Sequence, residues 1–356
     1  MPAFNRPAMT HRAVTSAFKQ QPAPPAEVLV VDDCSTDTTG DAARSAGARV
    51  IRHETNQGEG AARNTALRHA SHEWVALLDS DDEWLPNHLD SLWSSRSGRV
   101  LVAGSAVRRS PNGSHRLIGA VSERGITIGS PADIAVLRFI AASAVMFRRD
   151  VALDVGAFRP LPRAADLDLW LRILERGPGW VAPAVSVVYH EHAGQVSSDG
   201  RALLEAARAV LLQYSDRPWM TPHLLDQWDA VLAWHDFRIA LARGDLSDAP
   251  GPLFELLLHP RRVPALGRLL AWRWRERRRT GRFTAEGAPS VAVRGTQGDA
   301  ARFAREQYGS ALRIAGPARF SAYRQLARRP SAVLVVDNAL DASFARALGM
   351  HAEWPR

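Results

Sequence analysis

Two clusters of carboxylates stand at the ends of two short apolar runs. Asp32 and Asp33 follow Val28-Leu29-Val30-Val31, and Asp79, Asp81, Asp82 and Glu83 follow Trp74-Val75-Ala76-Leu77-Leu78. In an open α/β sheet, ligands bind beyond the carboxyl ends of the strands. Acids gathered there are placed for a ligand or a metal rather than for solubility. Like charges at this spacing repel, and a divalent cation neutralises them. Asp79-Ser80-Asp81 has the spacing at which two carboxylates hold one Mg²⁺ or Mn²⁺, which would bridge substrate phosphates. Such a triplet is common on solvated loops, and the buried-type strand before it is what gives this one weight. Asp32 and Asp33 can accept hydrogen bonds from a nucleobase N–H or ribose hydroxyls. Their structural alternative is a helix-capping turn.

Three further groups belong with these acids. In the loop Asn56-Gln57-Gly58-Glu59-Gly60, Asn56 and Gly58 let the backbone approach a ligand closely. Arg63, one helical turn on, can serve a phosphate, its alternative being a surface arginine. Asp166 lies in the first turn of a helix whose Leu167, Trp170, Leu171 and Leu174 share one face. A carboxylate is electrostatically favoured at that end, as a cap or as a general base. In His190-Glu191-His192 the i,i+2 spacing fits no standard zinc motif. One histidine, His192, completing a metal sphere begun by Asp81 fits better.

The elements that must position these groups alternate along the first half of the chain. A helix is predicted over 8–20 and a strand over 27–31. A helix capped by Ser35 or Thr36 should end near Gly47, followed by a strand over 48–52. The helix bearing Arg63 and a strand over 74–78 come next. This alternation predicts a parallel sheet with helices on both faces. Residues 201–283 read as a helical extension. Residues 288–356 read as a small α/β module with strands over 290–293 and 332–336, joined by the Arg/Gly segment 275–287. The turn Gly295-Thr296-Gln297-Gly298 has an anion-binding reading and a tight-turn reading.

A chain of 356 residues suffices for one large domain and a smaller one. Cys34 is the only cysteine, so no intramolecular disulfide can form and a reducing compartment is expected. No apolar run approaches the ~20 residues of a membrane span, and Met1 to Arg6 lacks the layout of a signal peptide. The expected location is cytoplasmic, with peripheral contact at the inner membrane face. The net charge of +8 is carried almost wholly by arginine. Val263, Leu266, Leu270 and Trp274 form a stripe among Arg261, Arg262, Arg268, Arg273 and Arg275, which suits an anionic membrane surface. Packing against the rest of the protein is the alternative for that stripe. No zinc-finger, RNA-recognition or basic-zipper signature points to nucleic acid.

Taken together, residues 1–200 resemble family 2 glycosyltransferases of the GT-A fold. Pro2-Ala3-Phe4-Asn5-Arg6 resembles the family's opening segment, and Val30 to Asp37 its nucleotide-contacting motif. Asn56-x-Gly58 with Ala62-Arg63-Asn64, then Leu78-Asp79-Ser80-Asp81-Asp82, follow in the family's order. Ala142-Ser143, Phe147-Arg148-Arg149 and Val155-Gly156-Ala157-Phe158 are similar to the acceptor-side segment. Asp166-Leu167-Asp168-Leu169-Trp170 resembles the helix that carries the base. His192-Ala193-Gly194-Gln195-Val196-Ser197 resembles the closing loop. The resemblance implies an inverting, metal-dependent transfer from a nucleotide-diphosphate sugar to a glycan, lipid-linked or small-molecule acceptor in cell-envelope glycan synthesis. It places Pro2, Phe4, Asn5, Asp32, Asp33, Asn56, Gly58 and Arg63 on the nucleotide. Asp79, Asp81 and His192 fall on the Mn²⁺ or Mg²⁺, Asp166 at the acceptor as base, and Asp82, Asp168 and Trp170 on the donor and acceptor side. Residues 194–200 would close over the donor, and variable residues between 108 and 140 would choose the sugar and acceptor.

Two departures stand out. Ala165 replaces the usual Glu before the base. The family's first strand, which should precede Pro2, is absent, so the natural protein is expected to begin upstream of Met1 and the edge of the strand at 28–31 to be exposed. A nucleotidyltransferase and a non-catalytic nucleotide-binding module are the competing readings. The Asp166 helix and the His192 loop speak against the first, and Ala165 speaks for the second.

Overall fold

The computed structural model describes residues 1–109, 111, 115–118, 125–135, 140–192, 195 and 200–243, and four short strand segments at 290–294, 313–315, 333–336 and 351–353. β1 (Pro2–Ala3), β2 (Leu29–Asp32) and β3 (Arg49–Arg52) form a parallel sheet in that order. β2 is buried at all of its positions, as expected for a strand covered on both faces. α1 (Pro7–Phe18) starts with Pro7, whose fixed φ and missing N–H suit a first helical position. Its Ala13, Val14 and Ala17 pack with Val30. α2 (Thr39–Ser45) precedes β3.

In the place of the first strand expected before Pro2, the structure has the two-residue β1 at Pro2–Ala3 itself. Pro2 pairs with Val31 and Ala3 with Asp32, and the Met1 nitrogen donates to Leu29 O at 2.9 Å. A cavity of about 630 Å³ opens beside this strand, lined by Met1, Val28, Leu29, Trp74, Ala76 and Trp93 among others. It is mainly apolar, and none of Asp79, Asp81 or Asp166 lines it.

The second sheet is built from α3 (Glu59–His69) onward. Its strands are β4 (Trp74–Ala76), β5 (Glu83–Trp84), β6 (Leu101–Arg109), β7 (His115–Ile118), β8 (Ile126–Ile128), β9 (Val145–Arg148) and β10 (Gly179–His190). The order is β4-β9-β6-β10-β5, with β7 on β6 and β8 on β10. Here too the expectation of a parallel sheet is corrected. β9 runs antiparallel to both β4 and β6, while β6 and β10 are parallel. The turn at Ala142–Ala144 feeds β9 back against β4, a reversal that strand–helix alternation cannot report. The register of β10 slips between Val181 and Val187, around Pro183. A proline removes a ladder donor and favours such an irregularity.

α4 (His88–Trp93), α5 (Ala132–Ala135), α6 (Arg149–Asp154) and α7 (Ala165–Leu174) complete this part. α8 (Gly200–Leu212) and α9 (Pro222–Arg243) follow. Val210, Leu211, Tyr214, Leu224 and Trp228 belong to the same core as Leu101, Phe147 and Trp170. The helices after residue 200 therefore share the sheet's core. The remaining strands, β11 (Ser290–Arg294), β12 (Arg313–Ala315), β13 (Val333–Val336) and β14 (His351–Glu353), make a parallel sheet in the order β12-β11-β13-β14. The basic stripe at 261–275, the linker at 275–287 and the turn at 295–298 lie outside the described residues. Among the described residues, no helix is long and apolar enough to cross a membrane.

Under the acidic end of this sheet, His88 is fully buried. It stacks on Trp84 at 4.5 Å and shares a hydrogen bond of 2.9 Å with Ser186 through Nδ1. Burial lowers its pKa from 6.5 to about 3. A depressed base stabilises the fold fully above its unfolded pKa and loses that contribution as pH falls through it. Unfolding free energy should therefore drop below pH 6.5 with a share from His88 of up to about 1.4 kcal/mol per pH unit. Denaturant titrations at a series of pH values should show a shallower drop for His88→Gln than for the unsubstituted protein.

Candidate active site

Asp32 and Asp33 end β2 inside the protein. Asp32 accepts from the Ser35 N–H at 2.9 Å and from Arg52. Asp33 receives His53 Nδ1 at 2.6 Å, the Gln57 N–H at 2.9 Å and the Gly58 N–H at 2.7 Å. The Asn56 side chain donates to the Asp33 carbonyl at 3.2 Å. One carboxylate thus draws the 56–58 loop onto the end of β2. Gly58 has φ of +88°, and no other atom lies within 4 Å of where its Cβ would be. The left-handed backbone, not crowding, demands glycine there.

The opening segment is fastened to the same loop. The Asn5 N–H donates to Ser35 Oγ at 3.0 Å, and Asn5 Oδ1 accepts from the Thr36 N–H at 2.8 Å. Ser35 and Thr36, expected to cap α2, instead hold Asn5; Asp37 bonds the Thr39 N–H at 2.9 Å at the start of α2. Pro2 is buried within β1, while the Phe4 ring is 42 % exposed beside this junction.

The acidic turn after β4 is anchored by its buried member. Asp82 accepts from Ser143 Oγ at 2.5 Å and from the His190 N–H at 3.3 Å. Ser143 Oγ accepts in turn from the Asp79 N–H at 3.1 Å. Burial, reinforced by the charges of Asp79 and Asp81, pushes the Asp82 carboxyl well above the usual range. Asp82, expected at the donor or acceptor, is thus internal, and it joins the turn to the segment that carries His192. Asp79 and Asp81 point less deeply. Arg63 Nη2 donates to Asp79 at 2.6 Å and also pairs with Glu59. Arg6 donates to Asp81 Oδ2 at 2.7 Å, and His192 Nε2 lies 2.8 Å from the same oxygen.

Asp166 opens α7 after Ala164, which adopts the left-handed conformation. It is half-buried and accepts from the Leu167 N–H at 2.9 Å. Withdrawal from water raises its pKa above 3.8; Arg63 pulls it down and Asp79 pushes it up. Asp168 and Trp170, expected on the donor and acceptor side, lie deeper. Both are buried, Trp170 in the apolar core and Asp168 in a hydrogen-bond cluster. Asp168 accepts from Arg172 at 2.6 Å, Arg159 at 3.2 Å and the Tyr214 hydroxyl at 2.6 Å. Arg172 also donates to the Val155 and Ala157 carbonyls at 2.5 and 2.7 Å. Asn64 closes the circuit through two bonds of 2.8 Å to the Phe158 backbone. The helix of Arg63 and the helix of Asp166 are thereby joined by one run of hydrogen bonds.

Asp79, Asp81 and His192 make an oxygen-rich donor set with one imidazole, a chemistry that Mn²⁺ and Mg²⁺ accept. Among the described residues, however, no three His, Cys, Asp or Glu side chains are already spaced to share an ion. Guanidinium groups hold both carboxylates instead. Arg12 Nη2 also donates to the Asp81 carbonyl at 3.1 Å, and Ser143, Glu59, Arg6 and Arg12 are the residues around the acidic turn that sequence reasoning passed over. Ser143 and Arg6 lie inside segments that carried the resemblance, and that position was their one signal.

Residues 1–156 match the family model for glycosyl transferase family 2. This part of the chain belongs to that family. The chain is 27 % identical over 327 residues to the succinoglycan biosynthesis protein ExoU of Rhizobium meliloti, covering 81 % of this chain and 89 % of that one. It is 28 % identical over 221 residues to an uncharacterized protein of Mycobacterium tuberculosis, covering 54 % of this chain and 64 % of that one. The fold is GT-A. It is similar to S. aureus TarS residues 1–349 in complex with UDP-GlcNAc, with a TM-score of 0.52 and 21 % identity over 75 % of this chain and 78 % of that one.

The Asp168 hub generates a stability test. Asp168→Ala strands Arg172 as a buried, uncompensated charge. Urea unfolding should show a loss of about 3–5 kcal/mol. A loss below about 1 kcal/mol, the scale of an exposed pair, would show that the hub is not what joins these elements.

Proposed function

We propose that this glycosyltransferase moves a sugar from a nucleotide-diphosphate donor to an acceptor hydroxyl with inversion, in the synthesis of a cell-envelope polysaccharide. One observation carries the reading: the acidic turn and the start of the Asp166 helix converge on Arg63, in a domain of the family. The polysaccharide assignment is supported by the similarity to ExoU, which extends well beyond the family-matched segment.

In this reading the Asp33 loop and the Asn5 segment cradle the nucleoside, with Phe4 at its exposed rim. Asp79, Asp81 and His192 would hold a Mn²⁺ or Mg²⁺ ion, which when bound supplies positive charge against the diphosphate. Arg63 adds a fixed positive charge at the same place. Asp166 takes the proton from the acceptor hydroxyl as its oxygen bonds to the anomeric carbon and the bond to the diphosphate breaks. A single displacement of this kind inverts the anomeric centre. A base with a raised pKa suits that role, because proton affinity and ionised fraction are both useful near neutral pH.

Asp166→Asn should lower kcat by roughly 10²–10⁴-fold while donor affinity stays near its original value. The acid limb of the pH–rate profile should lie above the ordinary aspartate value of 3.8, because activity needs the ionised form of a group whose pKa is raised. An Asp166→Asn enzyme with full turnover would remove it from the mechanism.

Asp79→Ala and Asp81→Ala should each abolish Mn²⁺-dependent nucleotide binding in calorimetry, with circular dichroism unchanged. Retention of that binding in both variants would reject the ion site.

A further inference from the structure

Arg6 stands where the nucleotide-facing segment meets the acidic turn. Its backbone N–H donates to Thr39 Oγ1 at 2.8 Å, beside the bonds that hold Asn5 to Ser35 and Thr36. Its guanidinium reaches across to Asp81 Oδ2 at 2.7 Å. The same oxygen contacts His192 Nε2 at 2.8 Å. The atom that a divalent ion would need is therefore already engaged by a cation of the protein's own.

The two arginines in the site are not equivalent. Arg63 is 6 % exposed, pairs with both Asp79 and Glu59, and lies over the Phe158 ring at 5.3 Å. It is fixed by packing as well as by charge. The Arg6 side chain is 33 % exposed and pairs with the one carboxylate. A pair with that much access to water is weak and is broken at little cost. It is nonetheless useful, since Asp79, Asp81 and Asp82 sit within four residues of one another and repel.

We propose that Arg6 is the resident counter-ion of Asp81. Before a divalent ion binds, Arg6 neutralises Asp81. The ion displaces it, and the released guanidinium turns to the diphosphate of the donor, for which its planar fork is well suited. Metal and donor binding are coupled through this one side chain. The inference rests on the reading of Asp79, Asp81 and His192 as the ion's ligands.

The test measures Mn²⁺ affinity without nucleotide, by calorimetry and by the electron-paramagnetic-resonance signal of free Mn²⁺. It compares the unsubstituted protein with Arg6→Gln, Arg6→Lys and Asp81→Asn. Arg6→Gln should bind Mn²⁺ about two- to tenfold more tightly, because nothing has to be displaced. Arg6→Lys should stay near the unsubstituted affinity, since it keeps the charge. With Mn²⁺ present, Arg6→Gln should bind inorganic pyrophosphate several-fold more weakly. Thermal unfolding confirms that each variant is folded, and Arg6→Lys keeps the comparison available if Arg6→Gln is not. Mn²⁺ binding that depends on Asp81 but does not tighten in Arg6→Gln overturns the counter-ion role. Unchanged pyrophosphate affinity overturns the transfer to the diphosphate. Absence of Mn²⁺ binding in every variant, or undiminished binding in Asp81→Asn, overturns the ion site itself and the inference with it.

Discussion

Burial disfavours the charge on Arg63, and the carboxylates of Asp79 and Glu59 more than offset that cost. The converse dependence is stronger. Asp79, Asp81, Asp82 and Asp166 come together at the end of one sheet, and bringing carboxylates into a partly desolvated site raises the energy of each. A fixed guanidinium among them makes the arrangement tolerable. Its position is set by the helix that follows the Gly58 turn, and that turn is set by Asp33. Phe158 lies under the Arg63 guanidinium, and the Phe158 backbone is bound by the neighbouring Asn64. Removing the charge would leave several acids to compensate by taking up protons or by moving apart.

Two buried carboxylates organise the surroundings. Asp33 gathers His53, Gln57 and Gly58, and so shapes the loop over the first sheet. Asp168 gathers Arg159, Arg172 and Tyr214, and so fixes the helix that begins with Asp166. Each sits close in sequence to an acid assigned a chemical role. For Asp168 and Asp166 the difference is solvent access: the oxygens of Asp168 are spent on donors inside the protein, and Asp166 keeps partial access to solvent. Tyr214 is notable because it lies beyond the family-matched residues. The helices after residue 200 share their core with the catalytic part and reach its hydrogen-bond circuit.

Asp82 shows the same economy at the acidic turn. It is the acid that the fold buries, and through Ser143 and the His190 N–H it ties β4, β9 and β10 together. The slip in β10 around Pro183 re-aims the strand's end before it delivers His190 and His192. Asp81 and His192, 111 residues apart, meet as a result.

Much of this was legible in the residues themselves. Apolar runs that stop in carboxylates mark strand ends, since such acids need donors that the strand ladder does not supply. The Gly58 turn and the helical spacing after Asp166 are equally local, and so were the boundaries of α1, β2 and α3 to within a few residues. The first sheet's parallel order followed from strand–helix alternation. What pattern could not give is whatever depends on contacts between distant segments. The reversal of β9 is decided by how a long connection returns, and the two-residue first strand by its pairing with Val31 and Asp32. The helical spacing of Asp166, Asp168 and Trp170 gave all three equal standing. Tertiary packing separated them, because Tyr214 and Arg172 enclose Asp168, the core encloses Trp170, and Asp166 keeps partial access to solvent.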